Sequence, residues 1–352
     1  MVKKNNRFIF DKQMTTSIKG VAICIMLFHH FFGFPNWIEE GIVFYGIPFR
    51  GTTIEYYLAV FGKVCVAMYT VLSGYGLFIS YEHKEKLWDF PYLLRKTIGL
   101  LLNWWLIVLI VEVPIIFIQN LGGGVDRIIG HLTLTNLEGN PFVGYLKFYL
   151  LALWTSPLCY MIVKRWKWNN LFLFILPFAG MTVRKIMFKA YGSTDIIETY
   201  ALYIPYFLTG MMIYKAGFYE KSFRSVKKFK WGKGIAFFLI IGCVVMRTLA
   251  GAHALSFDSW FALILIFAIA LCFQEFIGIR RGFAWLGQYS TGLWYSHAIW
   301  IFGGIVMQKI LYAPRIPILI IVWGIALCMP GVVIVEWLMK RCNALRSKKK
   351  LE

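Results

Sequence analysis

Long apolar runs alternate with short polar segments along almost the whole chain, and that alternation predicts the elements. A helix that crosses a bilayer core needs about 20 mostly apolar residues, with a range of about 17 to 25. Ten stretches reach or approach that length, at about 17–36, 58–80, 96–118, 144–163, 169–183, 197–214, 234–250, 259–278, 284–307 and 316–339. The fifth and sixth are short and Pro177 interrupts the fifth, so the pattern also permits eight or nine crossings. The segment Trp37–Tyr57 is long and partly apolar, and Gly41, Gly46, Pro48 and Gly51 argue against one continuous helix there. The expected fold is all-α: a polytopic transmembrane helical bundle of about ten helices, forming one domain over residues 1–352.

Composition agrees with this pattern. Of 352 residues, 59% are hydrophobic and 18% aromatic, and the mean hydropathy is +0.65. The net charge of +20 would suit nucleic acid in a soluble protein, but its placement points to topology. With ten crossings, roughly three quarters of the 37 Lys and Arg fall in alternate loops, as the positive-inside bias requires. Both termini are therefore expected in the cytoplasm, including the basic segments 1–16 and 340–352, and nucleic acid is not an expected partner. Trp104, Trp105, Trp166, Trp168 and Trp231 lie near span ends, where interfacial aromatics belong. The seven cysteines show no CxxC pairing or metal-like spacing, so neither a disulfide framework nor a metal site is expected. The first apolar run lacks a small-residue cleavage site, so it is expected to remain as a span.

Ionisable groups inside spans are costly and are functional candidates by default. In "IKGVAICIMLFHHFF", Lys19 and His30 stand eleven residues apart, about three turns, and share a helix face, whereas His29 points away. His30 lies roughly 16 Å deeper than Lys19, past the bilayer midpoint. An imidazole there serves either as a general base or only as a hydrogen-bond tie to a neighbouring helix. In "WLGQYSTGLWYSHAIW", Ser290 and His297 also share a face, and His297 lies roughly 24 Å beyond Arg281, so the two histidines are expected at similar depth. Ser73, Gly74 and Gly76 in "YTVLSGYGLF" either allow close helix packing or leave a narrow passage for a flexible ligand arm. Arg95 and Lys96 open the third span, as topology anchors or as a phosphate site. Glu112 is the clearest carboxylate inside a span, either orienting a histidine or pairing with a basic residue for structural reasons. No phosphate-binding loop, His-Glu-x-x-His or GxSxG motif is present, which removes nucleotide hydrolysis and zinc chemistry from the expected functions.

These motifs, in this order and spacing, resemble the acyltransferase 3 family of integral membrane acyltransferases. The first-helix pattern of a basic residue, ten positions and a histidine selects Lys19 and His30. "FGKVCVAMYTVLSGYGLF", the Arg95-Lys96 pair, "YLKFYLLALWTSPLCYMI", "YIPYFLTGMMIY" and the Gly287, Ser290, Tyr295, His297 set match later segments. Lys19 departs from the arginine of many members, which weakens any bidentate contact there. The resemblance implies a bacterial enzyme of the plasma membrane that moves an acyl group, usually acetyl, from acyl-CoA to a hydroxyl of a cell-envelope glycan. It implies no tightly bound cofactor and no metal, with acyl-CoA as co-substrate. His30 is then the expected general base, with His297 and Glu112 as further catalytic candidates. Lys19, Ser73, Gly74, Tyr75, Arg95 and Lys96 are expected on the CoA side, and Arg184, Arg247 and Ser290 on the acceptor side. The same motifs also permit a small amine, lipid or antibiotic acceptor. A transporter is the remaining alternative, but the paired broken-helix halves of such proteins are not seen in the sequence.

Overall fold

A computed structural model describes residues 10–167, 178–186, 195–226, 232–251 and 257–348, with Ile175, Lys189 and Leu255. The basic residues before Phe10, the start of the fifth expected span with Pro177, Trp168, Trp231, and the end of the basic tail lie outside the described residues.

The chain is a helical membrane protein. Among the described residues, seven helical segments are long and apolar enough to cross a bilayer: Lys12–Phe32, Ile54–Glu82, Phe90–Ile118, Pro141–Arg165, Ile196–Ala216, Asp258–Glu275 and Pro317–Cys342. Gly234–Ala250 is apolar but shorter. These eight correspond to expected spans one to four, six, seven, eight and ten. The apolar side chains that they leave exposed, among them Phe117, Ile118, Phe238, Leu249 and Ile318, are what a lipid-facing surface requires.

The ninth expected span differs. Instead of one helix over 284–307, the chain forms Ile277–Gln288, Ser290–Ser296, Ala298–Phe302 and Ile305–Tyr312. The breaks fall at Tyr289 and at Gly303–Gly304, whereas His297 keeps helical dihedrals, and Gly304 has a φ of 90° that only glycine adopts without strain. A hydropathy run counts apolar residues and is blind to such breaks. The third span is also irregular: Phe90–Ile107 passes through a π-helical turn, Val108–Glu112, into Val113–Ile118. Pro114 supplies the cause, because its ring and missing N–H are incompatible with the α ladder one turn earlier.

The chain forms two compact units, each assembled from separated stretches. The first comprises Met1–Met26, Val60–Trp88 and Leu151–Gln288; the second comprises Leu27–Ala59, Asp89–Leu150 and Tyr289–Glu352.

In the first unit, helices cross at reciprocal glycines. A Cβ on Gly74 would lie 1.9 Å from the Phe207 carbonyl oxygen, and one on Gly210 would lie 2.0 Å from that of Val71. Gly20 and Gly287 repeat the arrangement: a Cβ on the former would meet Phe283 O at 2.0 Å, and one on the latter Thr16 O at 1.9 Å. Such contacts let backbones approach where lipid offers no hydrophobic drive to association. Arg247 forms a buried bidentate pair with Asp258, Nε to Oδ1 at 3.0 Å and Nη2 to Oδ2 at 3.2 Å. Lys215 Nζ donates to the carbonyls of Val163, Lys164 and Trp166, satisfying acceptors that the end of Gly144–Arg165 leaves open.

The second unit is tied by Gln308, whose amide donates to the carbonyls of Trp37 and Ile301 while its oxygen accepts from Glu39 N. The segment after the first helix is thereby fixed, and it contains only a short helical turn, Pro35–Trp37, and a two-residue hairpin, Pro48–Phe49 with Thr52–Thr53. The absence of a continuous helix agrees with its Gly and Pro content.

Candidate active site

The second unit brings together two histidines that lie 267 residues apart in sequence: His30 Nδ1 and His297 Nε2 are 2.7 Å apart. His29, next to His30, points to a different neighbour. Its Nδ1 donates to the Ala59 carbonyl at 2.6 Å, and the ring is buried. It is the helix-to-helix tie, and the register separates the two roles.

Proton positions follow from the partners. The Trp294 carbonyl oxygen lies 2.7 Å from His297 Nδ1. A carbonyl only accepts, so a neutral His297 holds its proton on Nδ1 and offers a bare Nε2. The proton shared with His30 must then sit on His30 Nδ1, which leaves the lone pair of His30 on Nε2. That atom meets no hydrogen-bond partner among the described residues, and His30 is only partly buried whereas His297 is fully buried. The pair thus presents one unprotonated nitrogen, and its backing ring is fixed by the main-chain carbonyl of Trp294.

Phe142 fixes the plane of the His30 ring. The two rings stack at 3.6 Å between centroids and 11°, and Phe142 also lies 4.9 Å from the His297 ring. Phe142 sits in the turn Pro141–Val143, and Asn140 before it anchors that turn. Both amide hydrogens of Asn140 are used: Nδ2 donates to Glu112 Oε1 at 2.6 Å and to the Tyr295 carbonyl at 3.1 Å. Tyr295 is two residues from His297, so one side chain ties the turn behind His30 to the segment that bears His297.

Glu112, at the end of the π-helical turn, completes this support. Its Oε2 lies 2.6 Å from His131 Nδ1, both groups being fully buried. His131 Nε2 donates to the Glu138 carbonyl at 2.8 Å, so the remaining proton lies between His131 Nδ1 and the carboxyl. Trp104 Nε1 donates to the His131 carbonyl at 2.7 Å and its ring meets Tyr295 edge-on at 5.3 Å. The Glu112–His131–Asn140 cluster is a buried polar network that anchors the turn bearing Phe142.

The family model for an acyltransferase domain of the acyltransferase 3 type matches residues 16–337. The chain belongs to the acyltransferase 3 family. The matched region contains every residue of the cluster above, so the histidine pair lies inside an acyltransferase domain. No characterised relative and no solved structure matches the chain.

In this acyltransferase the residues singled out from sequence are placed as follows. His30 and His297 are brought together. The carboxylate of Glu112 is taken up by His131 and Asn140, not by His30 or His297, so it orients a histidine, though neither of those two. Ser290 is buried at the start of Ser290–Ser296, two turns before His297. Lys19 is half-buried in the first helix, its carbonyl accepting from Tyr69 OH at 3.0 Å. The space beside Gly74 is filled by the Phe207 carbonyl, which assigns that glycine to helix packing, and Ser73 beside it is half-buried. Tyr75 is buried edge-on against Phe10 and Tyr214. Arg95 and Lys96 are exposed in the second turn of Phe90–Ile107, which Asp89 caps by accepting from Tyr92 N at 3.0 Å. Arg184 pairs with Glu198 at 2.6 Å and Arg247 with Asp258. Sequence reasoning missed His131, Asn140 and Phe142. The Asn140-Pro141 dipeptide, a turn initiator, is the local signal that marks the place.

Proposed function

We propose that the protein is an O-acyltransferase of the plasma membrane, with both termini in the cytoplasm. It moves an acyl group, acetyl in the simplest case, from cytoplasmic acyl-CoA to a hydroxyl of an extracytoplasmic envelope glycan. The observation that carries this reading is the bare Nε2 of His30, held by His297 and Phe142 inside an acyltransferase domain.

In this reaction His30 Nε2 takes the proton of the acceptor hydroxyl as its oxygen attacks the thioester carbonyl carbon. A C–O bond forms, the carbonyl oxygen takes up negative charge, and His30 becomes an imidazolium. The His30–His297 hydrogen bond strengthens at this moment, because its donor is now charged. The intermediate collapses with cleavage of the C–S bond, the proton passes from Nε2 to the CoA sulfur, and the neutral pair is restored. An imidazole nitrogen can both take up and return a proton, which suits both transfers. Arg95 and Lys96 receive the CoA phosphates.

Incubation of the purified protein with radiolabelled acetyl-CoA and fractionated envelope acceptors tests the reading. Hydroxylamine-labile label is expected in the polysaccharide fraction. Label in an amine or lipid fraction would replace the acceptor, and no transfer to any fraction would refute the function.

A further inference from the structure

Arg127 lies on the short helix Gly124–Thr133, in the same unit as the histidine pair, and takes no part in the chemistry above. It is 7% exposed, and among the described residues its Nε and Nη2 meet no acceptor at all. A guanidinium stays charged at any working pH, and a buried charge is ordinarily paired or bound to a ligand. The surroundings are shaped to receive this group. A Cβ on Gly139 would lie 1.8 Å from Nη2 and 2.5 Å from Cζ, and Gly139 has a φ of 78°. The guanidinium therefore occupies the space over a residue that only glycine can be.

The helix also has an inverted face. Val125 and Ile129 are exposed, whereas Arg127 and His131 point inward. In a membrane protein the exposed apolar side is the lipid side, so Arg127 faces away from lipid headgroups and toward the protein. Gly139 is followed by Asn140, whose Oδ1 is likewise buried without a partner, and then by Phe142, which stacks on His30. Gly139 and Phe142 are three residues apart, so their Cα atoms lie at most about 11 Å from each other.

We infer that Arg127 is an acceptor-binding residue that recognises an oxyanion, a carboxylate or phosphate, on the molecule whose hydroxyl is acylated. The inference rests on the acyltransferase reading above and narrows its acceptor to an anionic one. The planar fork of Arg127 takes two oxygens side by side, Asn140 Oδ1 accepts from a hydroxyl or amide of the same molecule, and the reacting hydroxyl is presented to His30.

Two measurements test this separately. In the first, purified protein is titrated with inorganic phosphate and with acetate at constant ionic strength, and thermal stability is followed. The wild type should gain stability with at least one anion, and Arg127→Gln should weaken that response at least about tenfold. In the second, acetyl transfer is compared between a glucuronic-acid oligosaccharide and its carboxyl-reduced form, and between a glycerol-phosphate oligomer and glycerol. The wild type should favour one charged member at least about tenfold in kcat/KM, the favoured pair telling carboxylate from phosphate. Arg127→Gln should collapse that ratio by raising KM for the charged acceptor. If the glutamine variant does not fold, Arg127→Lys keeps the charge, loses the fork and should give intermediate values. Equal titrations of wild type and variant, or a charge preference that survives the substitution, would overturn the inference while leaving the acyltransferase reading intact. If no probe is acylated, the titration alone decides the role of Arg127.

Discussion

Replacing His297 by alanine removes the acceptor that holds the proton of His30 on Nδ1. Without it the His30 ring is free to place its proton on either nitrogen, and the imidazolium of the proposed transfer loses a charge-assisted partner 2.7 Å away. A hydrogen bond to a charged group contributes about 1.5–3 kcal/mol. Because the charge exists only on the way to products, that loss falls on kcat and should lower it about 10- to 150-fold, with KM for acyl-CoA and acceptor little changed. His297→Gln supplies a second test, since its side-chain oxygen reaches about as far as the imidazole Nε2 and can accept the same proton. It should retain more activity than the alanine variant. The assay is the initial rate of radiolabelled acetyl transfer by detergent-purified protein, with thermal unfolding followed in parallel because His297 is fully buried. A stable His297→Ala protein with kcat within about threefold of wild type, or with the loss entirely in KM, would refute the idea that His297 sets the tautomer of His30.

Asn140→Ala should destabilise the protein by about 2–3 kcal/mol, since it strips Glu112 and the Tyr295 carbonyl of a donor in a buried site; chemical denaturation checks this, and kcat should fall with it as Phe142 loosens. Gly74→Ala should lower thermal stability by about 1–3 kcal/mol or more, because its Cβ meets a backbone oxygen at 1.9 Å. Gly76→Ala, with open space at that position, should be within about 0.5 kcal/mol of wild type or slightly stabilising. Arg247→Met should cost about 3–5 kcal/mol by leaving Asp258 buried and unpaired, and the double variant Arg247→Met, Asp258→Leu should recover most of it. Arg95→Ala should weaken acyl-CoA binding and flatten its dependence on salt, as measured by equilibrium binding at several ionic strengths; an unchanged salt profile would make Arg95 a topology anchor only.

The sequence exposes what is periodic or local. Apolar length locates most spans, and the eleven-residue spacing from Lys19 separates His30 from His29, because both signals repeat along a single helix. The pairing of His30 with His297 was approachable only as a coincidence of depth, since no local pattern joins residues 267 positions apart. The support behind His30 was hidden for the same reason. Asn140 and Phe142 lie in a connecting segment, where neither hydropathy nor helical period carries information. His131 sits on a short helix whose polar face turns inward. The small residues at Gly74 fitted two readings, and only the position of the Phe207 backbone decides for packing at that residue. The breaks at Tyr289 and Gly303–Gly304 were missed because a run of apolar residues looks the same whether the helix within it is continuous or interrupted.

The most direct test of the central claim is a single-turnover measurement on His30→Ala. Protein pre-bound to radiolabelled acetyl-CoA is mixed with the acylated envelope fraction's own unmodified glycan, and ester formation is timed. Loss of a positioned general base is expected to slow transfer by about 10²- to 10⁴-fold, with acetyl-CoA affinity and the unfolding transition close to wild type. A folded variant that transfers acetyl within about threefold of the wild-type rate would contradict the assignment of His30 as the base.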